Sequence, residues 1–144
     1  MEPEHFTVHL FRICLSAYAV SAIASFALTR FPRMASLTGF SGAWMGGLAG
    51  CLASLTGLSQ GTAPAFALLP ATMPLVRFSV QLDPLAAFFT LVISLLGLAI
   101  SIYSYGYVTQ YYGLKNVGSL AGFFNLLLLA TTLIFCGDNA VFLL

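Results

Sequence analysis

Residues 83–105 read DPLAAFFTLVISLLGLAISIYSY, and this stretch decides the class of the whole chain. An aspartate and a proline open it, pairing an N-cap acceptor with a residue preset for the first helical position. From Leu85 to Tyr105 no charge interrupts it. About 20 mostly apolar residues cross the hydrocarbon of a bilayer, so the stretch predicts a transmembrane helix. The rest of the chain has the same character. Of its 144 residues 60% are hydrophobic and 6% charged, and the mean hydropathy is +0.98. A soluble domain carries about a quarter charged residues, so this composition supplies no ordinary water-facing surface. Five Lys and Arg against four Asp and Glu form no basic patch, which excludes a nucleic-acid partner. A disordered tail is excluded as well. The length leaves room for about four spans and no soluble catalytic domain. The expected partner is the lipid bilayer.

Upstream of this helix, Pro64, Pro70 and Pro74 exclude an unbroken helix between Gln60 and Asp83. Val76, Phe78, Val80 and Leu82 then alternate with Arg77, Ser79, Gln81 and Asp83. Period two is the pattern of a half-buried strand. Lipid would leave such a strand's backbone unpaired, so segment 60–83 is expected outside the hydrocarbon, with residues 65–69 as a hairpin partner. Further back, Met34 to Val76 holds no charge, and Leu37 to Leu58 reads as a span. Within it Gly42, Gly46, Gly50 and Ser54 recur every fourth residue, placing small side chains on one helix face where a neighbour can approach closely. The first span is expected over about residues 13–31. Its acidic leading residues, Glu2 and Glu4, and its long apolar run set it apart from a signal peptide.

Downstream, Tyr103, Tyr105, Tyr107, Tyr111 and Tyr112 form an aromatic cluster of the kind that collects at a membrane–water boundary. Lys115 and Asn116 mark a turn, and a fourth span runs from Val117 to Cys136. Gly137, Asp138 and Asn139 close it, and Ala140 to Leu144 reads as the start of a fifth hydrophobic helix. The expected class is therefore all-α integral membrane, with four transmembrane helices, the start of a fifth, and a short β-strand in the second connection. The ending suggests the amino-terminal part of a larger multi-span subunit. Arg30 and Arg33 place the first connection in the cytoplasm, by the excess of basic residues on that side. The amino terminus is then outside.

Reactive chemistry is sparse. Cys14, Cys51 and Cys136 stand singly in apolar segments, without metal-ligand spacing, and read as structural thiols. His5 and His9 lie at a terminus and suggest no metal site. No catalytic residue, cofactor site or metal site is expected. The charged residues all read as flanking the spans, and Asn125 reads as a packing hydrogen bond between helices.

The run Leu82-Asp83-Pro84-Leu85-Ala86-Ala87-Phe88-Phe89 resembles the LD-x-LSAFF opening of a helix in the antiporter-like subunits. These proton-pumping subunits occur in respiratory complex I, multi-subunit cation/proton antiporters and group 4 hydrogenases. Val92 to Leu96 and Ser101 to Ser104 are similar to the VISL…SLYS continuation, and Asp138-Asn139 to a DN pair before the next helix. Within the family the likeness is greatest to hydrogenase-4 component B of formate-hydrogenlyase-type complexes. There an Arg-Phe strand precedes the aspartate and a Tyr-x-Tyr-Gly-like segment follows the helix. The resemblance implies a membrane-arm subunit, in the bacterial inner membrane, contacting other membrane subunits of a hydrogenase or complex-I-like oxidoreductase. Its asparagine-marked DN pair is followed in the family by a helix bearing the essential glutamate. Leu144 comes before that position, so the resemblance implies anchoring and assembly without the proton-translocating core. A cation/proton antiporter fragment and an unrelated four-span scaffold are the alternative readings.

Overall fold

The computed structural model describes residues 3–60, 66–67, 79–80, 82–112 and 114–137. Four helices follow one another: α1 (Pro3–Ala27), α2 (Pro32–Gln60), α3 (Pro84–Val108) and α4 (Val117–Cys136). Proline occupies the first position of α1, α2 and α3, where its missing N–H has no intrahelical partner to lose. Asn116 caps α4, its side chain accepting from Ser119 N at 3.2 Å. At about 1.5 Å per residue the helices run roughly 30–44 Å, which is the scale of a bilayer.

The chain rises and falls as an up-down-up-down bundle. Helices α2 and α4 touch each other, and each also packs on both α1 and α3. The interior mixes apolar side chains with small polar ones, while large apolar side chains cover the outside. Thr7, Ser21, Ser25, Ser36, Ser54, Thr90, Ser94, Ser101, Asn125 and Thr132 are buried, while Val20, Ile23, Leu95, Leu96, Ile102, Phe123 and Leu127 are exposed. Exposed apolar surface on this scale requires a partner phase, and small or polar interiors are how helices associate within lipid.

Among the described residues three stretches are long and apolar enough to cross a membrane: Phe6–Ala27, Pro84–Tyr111 and Val117–Cys136. The expectation of four is not matched, because α2 is long enough but too rich in glycine, serine and threonine. The first span also starts earlier than expected. Because α1 opens at Pro3, Arg12 lies inside the Phe6–Ala27 stretch and not in its flank. A single arginine does not end a membrane helix, since its long stem can carry the guanidinium toward the interface. At the other end α1 stops at Ala27, and a turn over residues 28–30 replaces the helix expected to about 31.

Of the expected strand segment, residues 76–78 and 81 lie outside the described residues. A two-residue pair, β1 (Phe66–Ala67) with β2 (Ser79–Val80), runs antiparallel with Phe66 opposite Val80 and Ala67 opposite Ser79. The expected fifth-helix start, Ala140 to Leu144, lies outside the described residues.

Candidate functional site

The interior where α2 meets its neighbours is built from glycine. Stepping along α2, Gly39, Gly42, Gly46 and Gly50 oppose Ser25, Ser21, Tyr18 and Cys14 of α1, so each turn forward on one helix answers a turn back on the other. A Cβ at Gly46 would lie 2.6 Å from Tyr18 Cε1 and 2.8 Å from Cδ1, and Tyr18 is fully buried. A Cβ at Gly42 would overlap the Ser21 hydroxyl, and one at Gly50 the Ser94 hydroxyl of α3. Gly47 faces α3 as well, where a Cβ would approach Leu98 Cγ to 2.7 Å and the Ser94 carbonyl to 3.1 Å. Ser54, one turn beyond Gly50, is fully buried.

Sequence spacing marked one face of α2 and missed the glycines that answer it elsewhere. On α4, a Cβ at Gly118 would meet the Ser25 carbonyl at 2.8 Å and Thr29 Cα at 2.9 Å, both backbone. Gly122 lies against the ring of Phe26 in the same way. Gly118 and Gly122 stand four residues apart, the same spacing as Gly42, Gly46 and Gly50, so the signal that could find them is present in the sequence.

Around this glycine seam the polar side chains form a discontinuous line through the bundle. Thr7 Oγ1 donates to Thr56 Oγ1 at 3.0 Å near one end, and Ser36 Oγ and Tyr112 Oη share a hydrogen bond of 2.6 Å near the other. Between them, Asn125 Nδ2 donates to the carbonyls of Gly39 and Ala121, both at 2.9 Å. Thr90 Oγ1 and Cys136 Sγ approach to 3.4 Å. Tyr18 Oη, Ser54 Oγ, Ser94 Oγ and Asn125 Oδ1 are buried with no hydrogen-bond partner among the described residues. Among those residues, no carboxylate, ammonium, guanidinium or imidazole is buried, and no three His, Cys, Asp or Glu gather to hold a metal. The line is hydrogen-bonding chemistry, suited to holding helices in register.

Asp83 is exposed at the start of α3, where its Oδ1 accepts from Ala86 N at 2.7 Å; Pro84 follows at the first helical position. Leu82, just before, is buried against Gly57 and Ala53. Asp83 therefore fixes the point at which α3 begins. Asp138 and Asn139 lie outside the described residues, as does the side chain of His5. Cys14 and Cys136 are buried and Cys51 is half-buried, none of them in a disulfide.

At the opposite end of α3, Tyr103 stacks on Tyr107 with ring centroids 5.7 Å apart. Tyr107 Oη and Tyr111 Oη share a hydrogen bond of 2.8 Å, and Lys115 Nζ stands 5.5 Å from the centre of the Tyr111 ring. A turn of 3-10 helix, Thr109–Tyr111, continues α3 into this cluster.

Residues 73–115, less than a third of the chain, match the family model described as NADH-ubiquinone oxidoreductase (complex I), chain 5 N-terminus. The match covers the Asp83 cap, all of α3 and the tyrosine cluster, and it supports a relation to the proton antiporter-like superfamily. No curated protein matches the chain.

Proposed function

We propose that this chain is a membrane-arm, antiporter-like subunit of a hydrogenase or complex-I-like oxidoreductase, equivalent to the amino-terminal part of such a subunit. Its role is to anchor and help assemble the arm. The observation that carries this reading is the match over residues 73–115 to the amino-terminal region of complex I chain 5. The hydrogenase context rests on the likeness to hydrogenase-4 component B around Arg77 and Tyr111. In this reading α2 is a fourth span. Its outward residues, Trp44, Met45, Leu48, Leu52 and Leu55, are large, apolar and exposed, as a lipid-facing stripe demands, and its inward glycines lower only its average hydropathy. The membrane is the bacterial inner membrane, with the amino terminus outside. The Arg30 and Arg33 turn is then cytoplasmic.

Purifying the tagged chain from its own membranes in a mild detergent tests the assignment. A hydrogenase arm brings down redox subunits containing nickel, and a complex-I arm brings down flavin-containing ones. Co-purification of cation/proton antiporter subunits without redox partners overturns the oxidoreductase reading. Topology is tested separately with reporter fusions after Arg33 and after Arg77. Opposite sides are expected; the same side for both removes α2 as a span.

A further inference from the structure

We infer that the tyrosine end of the bundle binds the phosphodiester headgroup of an anionic glycerophospholipid. The site is a recess of about 300 Å³ between the end of α3 and the start of α4, with Tyr107, Tyr111, Lys115 and Asn116 on its polar side and Val108 and Leu120 on its apolar side. Its charge is one-signed. In an up-down bundle Arg30, Arg33 and Lys115 share this end, and contact between Gly118 and Thr29 and between Ser36 and Tyr112 brings the two turns together. Among the described residues the acidic ones fall at the other end, Glu4 in the first turn of α1 and Asp83 before α3.

The donors point to an anion. In the Tyr107–Tyr111 pair one hydroxyl donates to the other, and the second keeps its proton for an outside acceptor. The Lys115 ammonium has three protons, and its neighbour the Tyr111 ring accepts no strong hydrogen bond. Asn116 uses its side-chain oxygen on Ser119 N, which leaves its amide N–H groups as donors. The amino end of α4 adds a partial positive charge. A phosphate diester accepts from all of these.

Position and charge select the source. Stacked tyrosines at a helix end sit at headgroup depth, and below them the apolar wall of Val108 and Leu120 continues into the exposed side chains of α4. That wall suits glycerol and the top of an acyl chain and gives inorganic phosphate nothing. A choline headgroup is disfavoured, because Lys115 already stands over the aromatic face that would receive its cation. A phosphatidylglycerol-like lipid satisfies both requirements.

The test is native mass spectrometry of the purified full chain offered equal amounts of phosphatidylglycerol and phosphatidylcholine. We expect phosphatidylglycerol to be retained about fivefold more, the factor expected for one basic residue at an anionic surface. Lys115→Gln, at an exposed position, brings the ratio near one, and Lys115→Arg keeps most of it. The Tyr107→Phe, Tyr111→Phe pair lowers the ratio with Lys115 intact. An unchanged ratio in Lys115→Gln overturns the site. So does displacement of the lipid by millimolar inorganic phosphate, which marks a general anion site, and so does the absence of any retained lipid.

Discussion

Helices α2 and α3 lie side by side, and each turns a stripe of small residues into the bundle. On α3 the inward positions are Ala86, Ala87, Thr90, Ser94, Gly97 and Ser101; on α2 they are Ala43, Gly46, Gly47, Gly50, Ala53 and Ser54. Outward they also agree, with leucines and aromatic rings exposed on both. Yet of the two only α3 is long and apolar enough to cross a membrane. The difference lies in what fills the space between the stripes. Glycine contributes almost no hydropathy, but it lets a backbone come within contact of its neighbour. Average hydropathy therefore registers what a helix shows to lipid, diluted by whatever it uses to pack. Close packing without bulk is the physical content of α2.

The comparison breaks most sharply if bulk is tolerated where the glycines are. Gly46→Leu must displace the fully buried Tyr18 ring, which has no open side to move into. Overpacking of a close-packed interior costs about 1–3 kcal/mol and sometimes more, and this site belongs at the top of that range. The chain is expected to lose its folded peak in size-exclusion after mild heating. The outward substitutions Leu48→Ala on α2 and Leu96→Ala on α3 are expected to stay within about 0.5 kcal/mol, since both side chains are exposed. Gly118→Ala is the sharper case on α4, because both atoms it would meet are backbone. Equal survival of Gly46→Leu and Leu48→Ala would mean that α2 is not held by its glycine face.

Much of this arrangement was legible in the residues alone. Asp83 and Pro84 announce the start of α3, and the fourfold spacing of Gly42, Gly46 and Gly50 announces a face that can be approached. What spacing cannot announce is the partner. That Gly46 meets Tyr18, or that Asn125 reaches the Gly39 carbonyl across 86 positions, depends on how the helices are arranged. Charge was a poor ruler for span ends. A guanidinium is expensive in hydrocarbon, but a helix is ended by its backbone, and α1 runs through Arg12. Alternation from Val76 to Asp83 and a partner over 65–69 announce a strand pair, and among the described residues Phe66–Ala67 pairs with Ser79–Val80.

A smaller effect separates hydrogen bonds that tie helices from hydroxyls that merely sit between them. Asn125→Ala removes two buried hydrogen bonds, one of them from α4 to α2. Interhelical hydrogen bonds in membranes are worth about 0.6–2 kcal/mol, so a loss of about 1 kcal/mol is expected in a reversible denaturation series in detergent micelles. Ser94→Ala removes a buried hydroxyl that has no partner among the described residues. Deleting an unsatisfied group returns its desolvation penalty, so this variant should be neutral or slightly stabilising. A loss from Ser94→Ala equal to that from Asn125→Ala would show that the α2–α3 contact depends on hydrogen bonding as well as on close approach.

The smallest effects belong to the helix starts. Asp83 accepts from Ala86 N at 2.7 Å, a charge-assisted bond at the positive end of α3, and Asn116 does the same for α4 at 3.2 Å without a charge. Replacing a capping residue by alanine costs about 0.5–2 kcal/mol. Asp83→Ala is expected near 1 kcal/mol in the same denaturation series, and Asn116→Ala below it because its bond is longer. Asp83→Asn keeps an oxygen in the same place and loses only the interaction of charge with helix dipole. That interaction amounts to about 0.3–1 kcal/mol at an exposed site, partly recovered because Asn caps about as well as Asp. Its effect should therefore be a few tenths of a kcal/mol, and salt should erase it, since an exposed charge is screened within about 10 Å at 0.1 M. If Asp83→Asn instead destabilised the chain as much as Asp83→Ala, and salt did not change the result, the carboxylate would have a partner other than the end of its own helix.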